Sequence, residues 1–280
     1  MKITLGFSTC PNDTFIFDAL VHGKIDTGEI TYEVVLDDIF HLNQKALRGE
    51  LDMVKVSYNT YGQIINQYQL LDAGSALGNN CGPLLISRRP LTVSEIVENN
   101  LIVGIPGKNT TANLLLGYYA PQIANKRELI FHEIMPALLS GQIDAGLIIH
   151  ENRFTYQNFG LLLIQDLGEY WEEKTGLPIP LGAIVAKKNL GEKIIRTLQT
   201  HTRESVRFAF EYPDSSQNYV RKYAQEMDDE VMKAHINLYV NEYSLKLGTK
   251  GIEAVREVLT AGESMGLFPE LTHTKVDIFE

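Results

Sequence analysis

The chain has 280 residues, 44% of them hydrophobic and 21% charged, with 22 Gly and 10 Pro. At roughly 150 residues per domain this is about two domains, each able to bury a core, and it excludes a disordered, collagen-like or coiled-coil chain. Against 25 Lys and Arg stand 35 Asp and Glu, a formal charge of -10; most of the surface repels a nucleic-acid backbone, and an anionic small molecule needs a locally positive pocket.

Residues 2–7 alternate and predict a strand. The polar loop Ser8-Thr9-Cys10-Pro11-Asn12-Asp13 follows. Residues 14–21 predict a helix stopped at Gly23, and residues 30–36 a second strand. Asp37 or Asp38 caps a helix running to Arg48, with Gly49 at its end. Residues 51–57 complete a β-α-β-α-β order, which argues for a parallel sheet with helices on its faces.

The pattern then returns. Residues 101–105 predict a strand, Pro106-Gly107-Lys108-Asn109 a loop, and residues 110–119 a helix. A short strand is predicted at 129–132, a helix at 133–140 with Gly141 as its stop, and a strand at 143–149. Asn12-Asp13-Thr14 and Asn109-Thr110-Thr111 both sit between a strand and a helix. Gly49-Glu50-Leu51-Asp52 and Gly141-Gln142-Ile143-Asp144 both sit between a helix and a strand. The two likenesses keep nearly the same separation, so the chain reads as two lobes of like strand–helix order.

Residues 83–89 and 181–188 are apolar strands that each end in two basic residues, and they read as crossings between the lobes. The first lobe then takes residues 1–92 and 177–280, and the second takes 93–176. After Asn189 the pattern is mostly helical. Ile194, Leu198, Val206, Phe208 and Phe210 are apolar points of one long helix, and residues 213–227 and 252–265 predict two more. This tail is expected to pack on the first lobe. The fold class is α/β: two lobes, each a mixed sheet flanked by helices, with a cleft between them.

In open α/β sheets ligands bind beyond the C-terminal ends of the strands. Those ends carry residues 8–13, 57–59, 107–111 and His150-Glu151. The helix opened by Gly107-Lys108-Asn109-Thr110-Thr111-Ala112 either binds an anion, with Thr hydroxyls and Lys108 assisting, or is an ordinary Thr-capped helix. Thr9, Asn12 and Asp13 offer donors and acceptors for hydroxyl groups, or simply turn and cap the chain. Lys55 interrupts an apolar strand; it binds a carboxylate, forms a structural ion pair or reaches solvent. His150 ends an apolar strand, where an imidazole suits general-base work or a structural hydrogen bond.

Several chemistries are absent. HExxH fails at Phe154, and the other histidines suggest no metal cluster. Cys10 and Cys81 are too far apart for a CxxC motif, give no disulfide framework, and suit a reducing cytosol. No base is evident to make Cys10 a nucleophile. Phe154, Tyr156 and Phe159 read as packing or as a stacking platform. No apolar run approaches the roughly 18 residues of a membrane span. The N-terminus turns polar at Ser8 before a signal core forms, so a cytoplasmic location is expected.

Ser8-Thr9-Cys10-Pro11-Asn12-Asp13-Thr14-Phe15, Cys81-Gly82-Pro83-Leu84-Leu85 and residues 146–154, which include Ile149-His150-Glu151-Asn152-Arg153-Phe154, together resemble the 1,4-dihydroxy-6-naphthoate synthase family of the futalosine route to menaquinone. Leu177-Pro178-Ile179-Pro180-Leu181-Gly182 and residues 243–251 carry the same likeness, which covers essentially the whole chain.

The resemblance implies a fold similar to type II periplasmic solute-binding proteins. It implies conversion of cyclic dehypoxanthinylfutalosine to 1,4-dihydroxy-6-naphthoate with release of dihydroxyacetone, a carbon–carbon lyase reaction without metal or organic cofactor. By the same resemblance His150 is the proton acceptor; Thr110, Thr111 and Ala112 hold the substrate's aryl carboxylate; and Lys55, Val56 and Ser57 form a second substrate-binding segment. Thr9, Asn12, Asp13 and Asn80 are further binding candidates. The expected partner is a small anionic substrate, not nucleic acid or membrane. Two other functions suit the fold: chorismate dehydration in the same route, and non-catalytic solute binding or sensing in the cytoplasm.

Overall fold

The computed structural model describes residues 1–224 and 228–268. The chain opens with β1 (Lys2–Phe7) and α1 (Pro11–Val21). The helix begins earlier than residue 14 because Pro11 sits in its first turn, where a fixed φ fits and a missing N–H costs nothing. Next come β2 (Thr31–Leu36), α2 (Ile39–Leu47) and β3 (Met53–Ser57). Asp38 caps α2, its carboxylate accepting the Phe40 N–H at 2.8 Å. β1 lies between β2 and β3 and runs parallel to both, as the β-α-β-α-β pattern requires.

The next elements are α3 (Tyr58–Ile64), β4 (Tyr68–Leu70), β5 (Ala76–Gly78), β6 (Leu84–Ser87) and α4 (Val93–Glu98). The second unit follows as β7 (Val103–Ile105), α5 (Thr111–Tyr119), β8 (Lys126–Glu128), α6 (Phe131–Leu139) and β9 (Ala145–Ile148). The strand expected at 129–132 lies at β8 instead, and Phe131 already begins a helix. The Glu133 carboxylate accepts the Ile130 N–H at 3.1 Å, a one-way side-chain bond that satisfies a donor at the helix entrance and starts α6 ahead of its expected first residue.

The chain ends with α7 (Asn152–Thr155), β10 (Leu162–Asp166), α8 (Leu167–Thr175), β11 (Ile179–Lys187), α9 (Glu192–Glu211), α10 (Gln217–Tyr223), α11 (Asp229–Tyr239), α12 (Glu242–Leu245) and α13 (Gly248–Ser264). The long helix expected after Asn189 is α9. The helix expected over 213–227 is α10, and its expected end at Met227 lies outside the described residues. As expected, the tail covers the first sheet: α9, α10 and α11 pack on α1, and α13 packs on α3 and β11.

Two mixed sheets result. The first has the order β2-β1-β3-β11-β4, with β5 also paired to β11; the second has the order β10-β6-β9-β7-β8. In the first, the parallel triplet β2-β1-β3 continues into antiparallel β11. In the second, the parallel triplet β8-β7-β9 continues into antiparallel β6. The short sequence likenesses therefore mark a repeat of fold.

The expected crossings need correction. β6 pairs with β9 and β10, so residues 84–87 belong to the second sheet. The chain thus leaves the first sheet after β5, not at residue 92. Among the described residues β11 pairs with β3, β4 and β5 alone, so the return is complete by Ile179. The two crossings touch backbone to backbone: a Cβ built on Gly82 would stand 2.3 Å from the Gly168 Cα. Beside them the Trp171 indole is fully buried and donates to the Pro178 carbonyl at 3.2 Å.

Candidate active site

The C-terminal ends of β1, β3, β7 and β9 converge on one cavity between the sheets. Its polar wall is Ser8, Asn12, Asp13, Lys55, Ser57, Thr110, Thr111 and His150; its apolar wall includes Ile39, Pro83, Ala112, Ile149, Leu181 and Tyr239. Eight of the sequence candidates therefore meet in one place: Asn12, Asp13, Lys55, Ser57, Thr110, Thr111, Ala112 and His150.

Val56, Thr9 and Asn80 do not line it. Side chains alternate along a strand, so Lys55 and Ser57 share the cavity face of β3 while Val56 packs into the core. Thr9 is half-buried beside the cavity. Asn80 is exposed on the crossing, where its N–H donates to Glu172 Oε1 at 2.6 Å.

Asp13 organises the first-sheet wall. Its Oδ2 accepts from the Ser8 hydroxyl at 2.7 Å and the Ser8 N–H at 3.2 Å. Its Oδ1 accepts from Lys55 Nζ at 2.8 Å and Asn12 Nδ2 at 2.9 Å. Lys55 Nζ also donates to the Gly74 carbonyl at 3.3 Å. Both side chains are buried, so Lys55 takes the structural ion-pair reading rather than standing open for a carboxylate. Asn43 flanks Ser57, accepting its N–H at 2.9 Å and donating to its Oγ at 3.0 Å.

The second-sheet wall is the start of α5. Thr110 caps it: its Oγ accepts the Asn113 N–H at 3.2 Å and donates to the Gly107 carbonyl at 2.7 Å. The Thr111 hydroxyl donates to the Leu181 carbonyl at 2.7 Å and accepts the Tyr58 N–H at 2.9 Å, tying α5 to the first sheet. Both hydroxyl protons are thus spent inside the protein, and Lys108 is exposed and outside the lining. The anion-binding potential rests on the Thr111 and Ala112 N–H groups. They precede the first helical bond, from the Leu114 N–H to the Thr110 carbonyl, and sit at the positive end of the helix dipole.

His150 follows β9 by two residues and takes φ 58°, a left-handed conformation that turns the chain at the cavity wall. The Phe131 ring and the imidazole pack in a T-shaped arrangement, centroids 4.9 Å apart. Its Nε2 is buried and, among the described residues, has no hydrogen-bond partner. Burial lowers its pKa from 6.5 to about 4; nearby Asp13 opposes the shift and Lys55 adds to it. At neutral pH it is an uncharged imidazole with an uncommitted nitrogen.

Other groups are less reactive. Burial pushes the Cys81 thiol up to about 12 and raises Cys10 well above its ordinary value, so neither is poised as a thiolate. Burial likewise raises the Tyr239 phenol. Among the described residues no group of three or more His, Cys, Asp or Glu could hold a metal ion. Among them, too, no helix is long and apolar enough to cross a membrane.

Sequence reasoning passed over Tyr239 on α11 and, behind the lining, the buried His235; Glu151, named with His150 at the strand end, is buried beside it. The missed signal was spacing: Met232, His235, Ile236 and Tyr239 share one helical face, and a His in that apolar stripe marks a buried polar contact.

The menaquinone biosynthesis family model matches residues 3–264. A 1,4-dihydroxy-6-naphthoate synthase of Thermus thermophilus is 46% identical over 265 residues, 95% of each chain. One of Streptomyces coelicolor is 44% identical over 274 residues, 96% of this chain and 95% of the relative. Among solved structures, an Archaeoglobus fulgidus protein superposes with a TM-score of 0.89 at 32% identity, covering 95% of this chain and 98% of that one. The alkanesulfonate-binding protein of Xanthomonas axonopodis pv. citri, bound to MOPS, gives 0.72 at 11% identity, covering 96% and 94%. That similarity concerns the fold, which is periplasmic-binding-protein-like.

Proposed function

The chain belongs to the menaquinone biosynthesis family, on the side of the 1,4-dihydroxy-6-naphthoate synthases, and from that premise we propose that it converts cyclic dehypoxanthinylfutalosine to 1,4-dihydroxy-6-naphthoate. Dihydroxyacetone is the second product, and the enzyme is a cytoplasmic carbon–carbon lyase. The observation that carries this reading is the buried, unpartnered Nε2 of His150 on the cavity wall.

His150 is the base. It takes a proton from the cyclised ribose part of the substrate, the ring opens, and the carbon–carbon bond breaks towards the aromatic product. Aromatisation supplies driving force, so the protein's part is a placed base, a fixed substrate and exclusion of water. The N–H groups of Thr111 and Ala112 hold the aryl carboxylate at the start of α5. Ser57 contributes a hydroxyl, and Asn12 an amide, to the sugar-derived end.

A purified-protein assay with cyclic dehypoxanthinylfutalosine and chorismate side by side tests the reading. The expected result is naphthoate from the first and no dehydration of the second. His150→Asn keeps the shape and removes the base, so it should bind substrate and release no naphthoate. Wild-type turnover by this variant would remove His150 from its role. Chorismate dehydration, or binding without product from either substrate, would overturn the assignment.

A further inference from the structure

His235 lies on α11, far along the chain from the cavity loops, and is fully buried behind the lining. Its ring lies nearly parallel to that of His150, at 22° with centroids 5.9 Å apart. Its Nε2 is 2.9 Å from Asn12 Oδ1. Tyr239, one turn on, packs at 4.7 Å.

The hydrogen-bond pattern fixes the tautomer. Asn12 Nδ2 donates to Asp13 Oδ1, a carboxylate oxygen that also receives Lys55 and can only accept. The amide is therefore oriented with Oδ1 towards His235, and Nε2 of His235 carries the proton. Nδ1 is then the bare nitrogen of a neutral ring, 3.8 Å from Glu151 Oε2, beyond hydrogen-bond range. Burial and the adjacent His150 both hold the His235 pKa well below its ordinary value.

We propose that His235 is a positioning residue with two contacts: its ring face sets the imidazole plane of His150, and its Nε2–H holds the Asn12 amide at the cavity wall. The inference rests on the reading of the cavity as the active site and of His150 as the base. It gives the helical tail a part in the reaction, because α11 supports a residue from each wall.

Two variants separate the contacts. His235→Phe keeps a ring against His150 and removes the donor to Asn12. It should raise KM by about tenfold and leave kcat within about threefold. His235→Gln keeps an amide donor and removes the ring. It should lower kcat by about tenfold or more and leave KM within about threefold, since small misplacements of a base are costly. A role in folding alone lowers thermal stability in both and produces no such split. Unchanged kinetics in both variants, or equal changes in kcat and KM in both, would overturn the proposal.

The wild-type protein provides a check that survives misfolding of either variant. A long-range proton–nitrogen NMR spectrum at neutral pH should show His235 as the Nε2–H tautomer, and an Nδ1–H tautomer overturns the proposal. His150→Asn assayed alongside keeps the two ideas apart. If it turns over, the base assignment fails; the tautomer and the KM effect are judged on their own.

Discussion

Lys55 Nζ and Asp13 Oδ1 lie 2.8 Å apart with both side chains almost wholly out of solvent. The cation that interrupts β3 is therefore neutralised by the first turn of α1, and the pair holds the Ser8–Asp13 loop on the cavity wall. Removing one partner strands a charge in the interior. Lys55→Met should cost about 3–5 kcal/mol, because the Asp13 carboxylate loses its counter-ion. Lys55→Met combined with Asp13→Asn should cost less than Lys55→Met alone, since the stranded charge is gone. Urea unfolding of the three proteins reads this coupling, and a double variant no more stable than Lys55→Met would refute it.

Thr111 joins the two sheets through one oxygen, donating to Leu181 and accepting from Tyr58. Thr111→Val keeps the shape and leaves the half-buried Leu181 carbonyl and the buried Tyr58 N–H unpaired, at about 1–3 kcal/mol for the buried group and less for the half-buried one. Because the start of α5 then loses one of its ties to the first lobe, beside those from Asn59 and Thr60, KM should rise more than kcat falls. Thr111→Ser restores the hydroxyl and should return both stability and KM towards wild type. Thermal melts and steady-state kinetics on the three proteins provide the check.

At the crossings, a Cβ on Gly82 meets the Gly168 Cα at 2.3 Å and its nitrogen at 2.4 Å. Backbone cannot step aside as a side-chain end can. Gly82→Ala should therefore destabilise at or above the upper end of the roughly 1–3 kcal/mol typical of overpacking. Gly160→Ala is the contrast: no atom lies near its added Cβ, but φ 68° disfavours a side chain. It should cost only about 1 kcal/mol, through backbone strain. Equal losses in the two variants would show that the contact between crossings is not tight.

Local signals carried the repeat. Asp38, Thr110 and Gly49 are cap and stop residues whose effect reaches only a turn or so, and they stand where the helices begin and end; Pro11 is a start signal of the same kind that the reading from residue 14 passed over. Pairing is not local, and there the reading failed. β6 is buried along its whole length, so its apolar run carries no mark of the sheet it joins. The cavity loops were legible because they follow strand ends. His235 was not, because only folding places α11 against α1 and brings its ring to His150. The Thr110 and Thr111 hydroxyls show the converse: right position, but donors already used by Gly107 and Leu181.

The depressed pKa of His150 fixes the sign of two pH effects. A base must be neutral to act, so kcat/KM should fall on the acidic side with a midpoint at about 4, not near the ordinary imidazole value of 6.5. Bound substrate brings a carboxylate into the same cavity, which favours the imidazolium; the acidic limb of kcat should therefore lie above that of kcat/KM. The stability effect runs the same way. The folded pKa lies below the unfolded one, so the stabilisation is fully present above about 6.5 and is lost as pH falls towards about 4. His150→Asn has no such group, and its unfolding free energy should decline less steeply between about pH 6.5 and pH 4 than that of the wild type. Parallel pH dependences of stability, or an acidic limb of kcat/KM near 6.5, would show that the imidazole is not held neutral by burial.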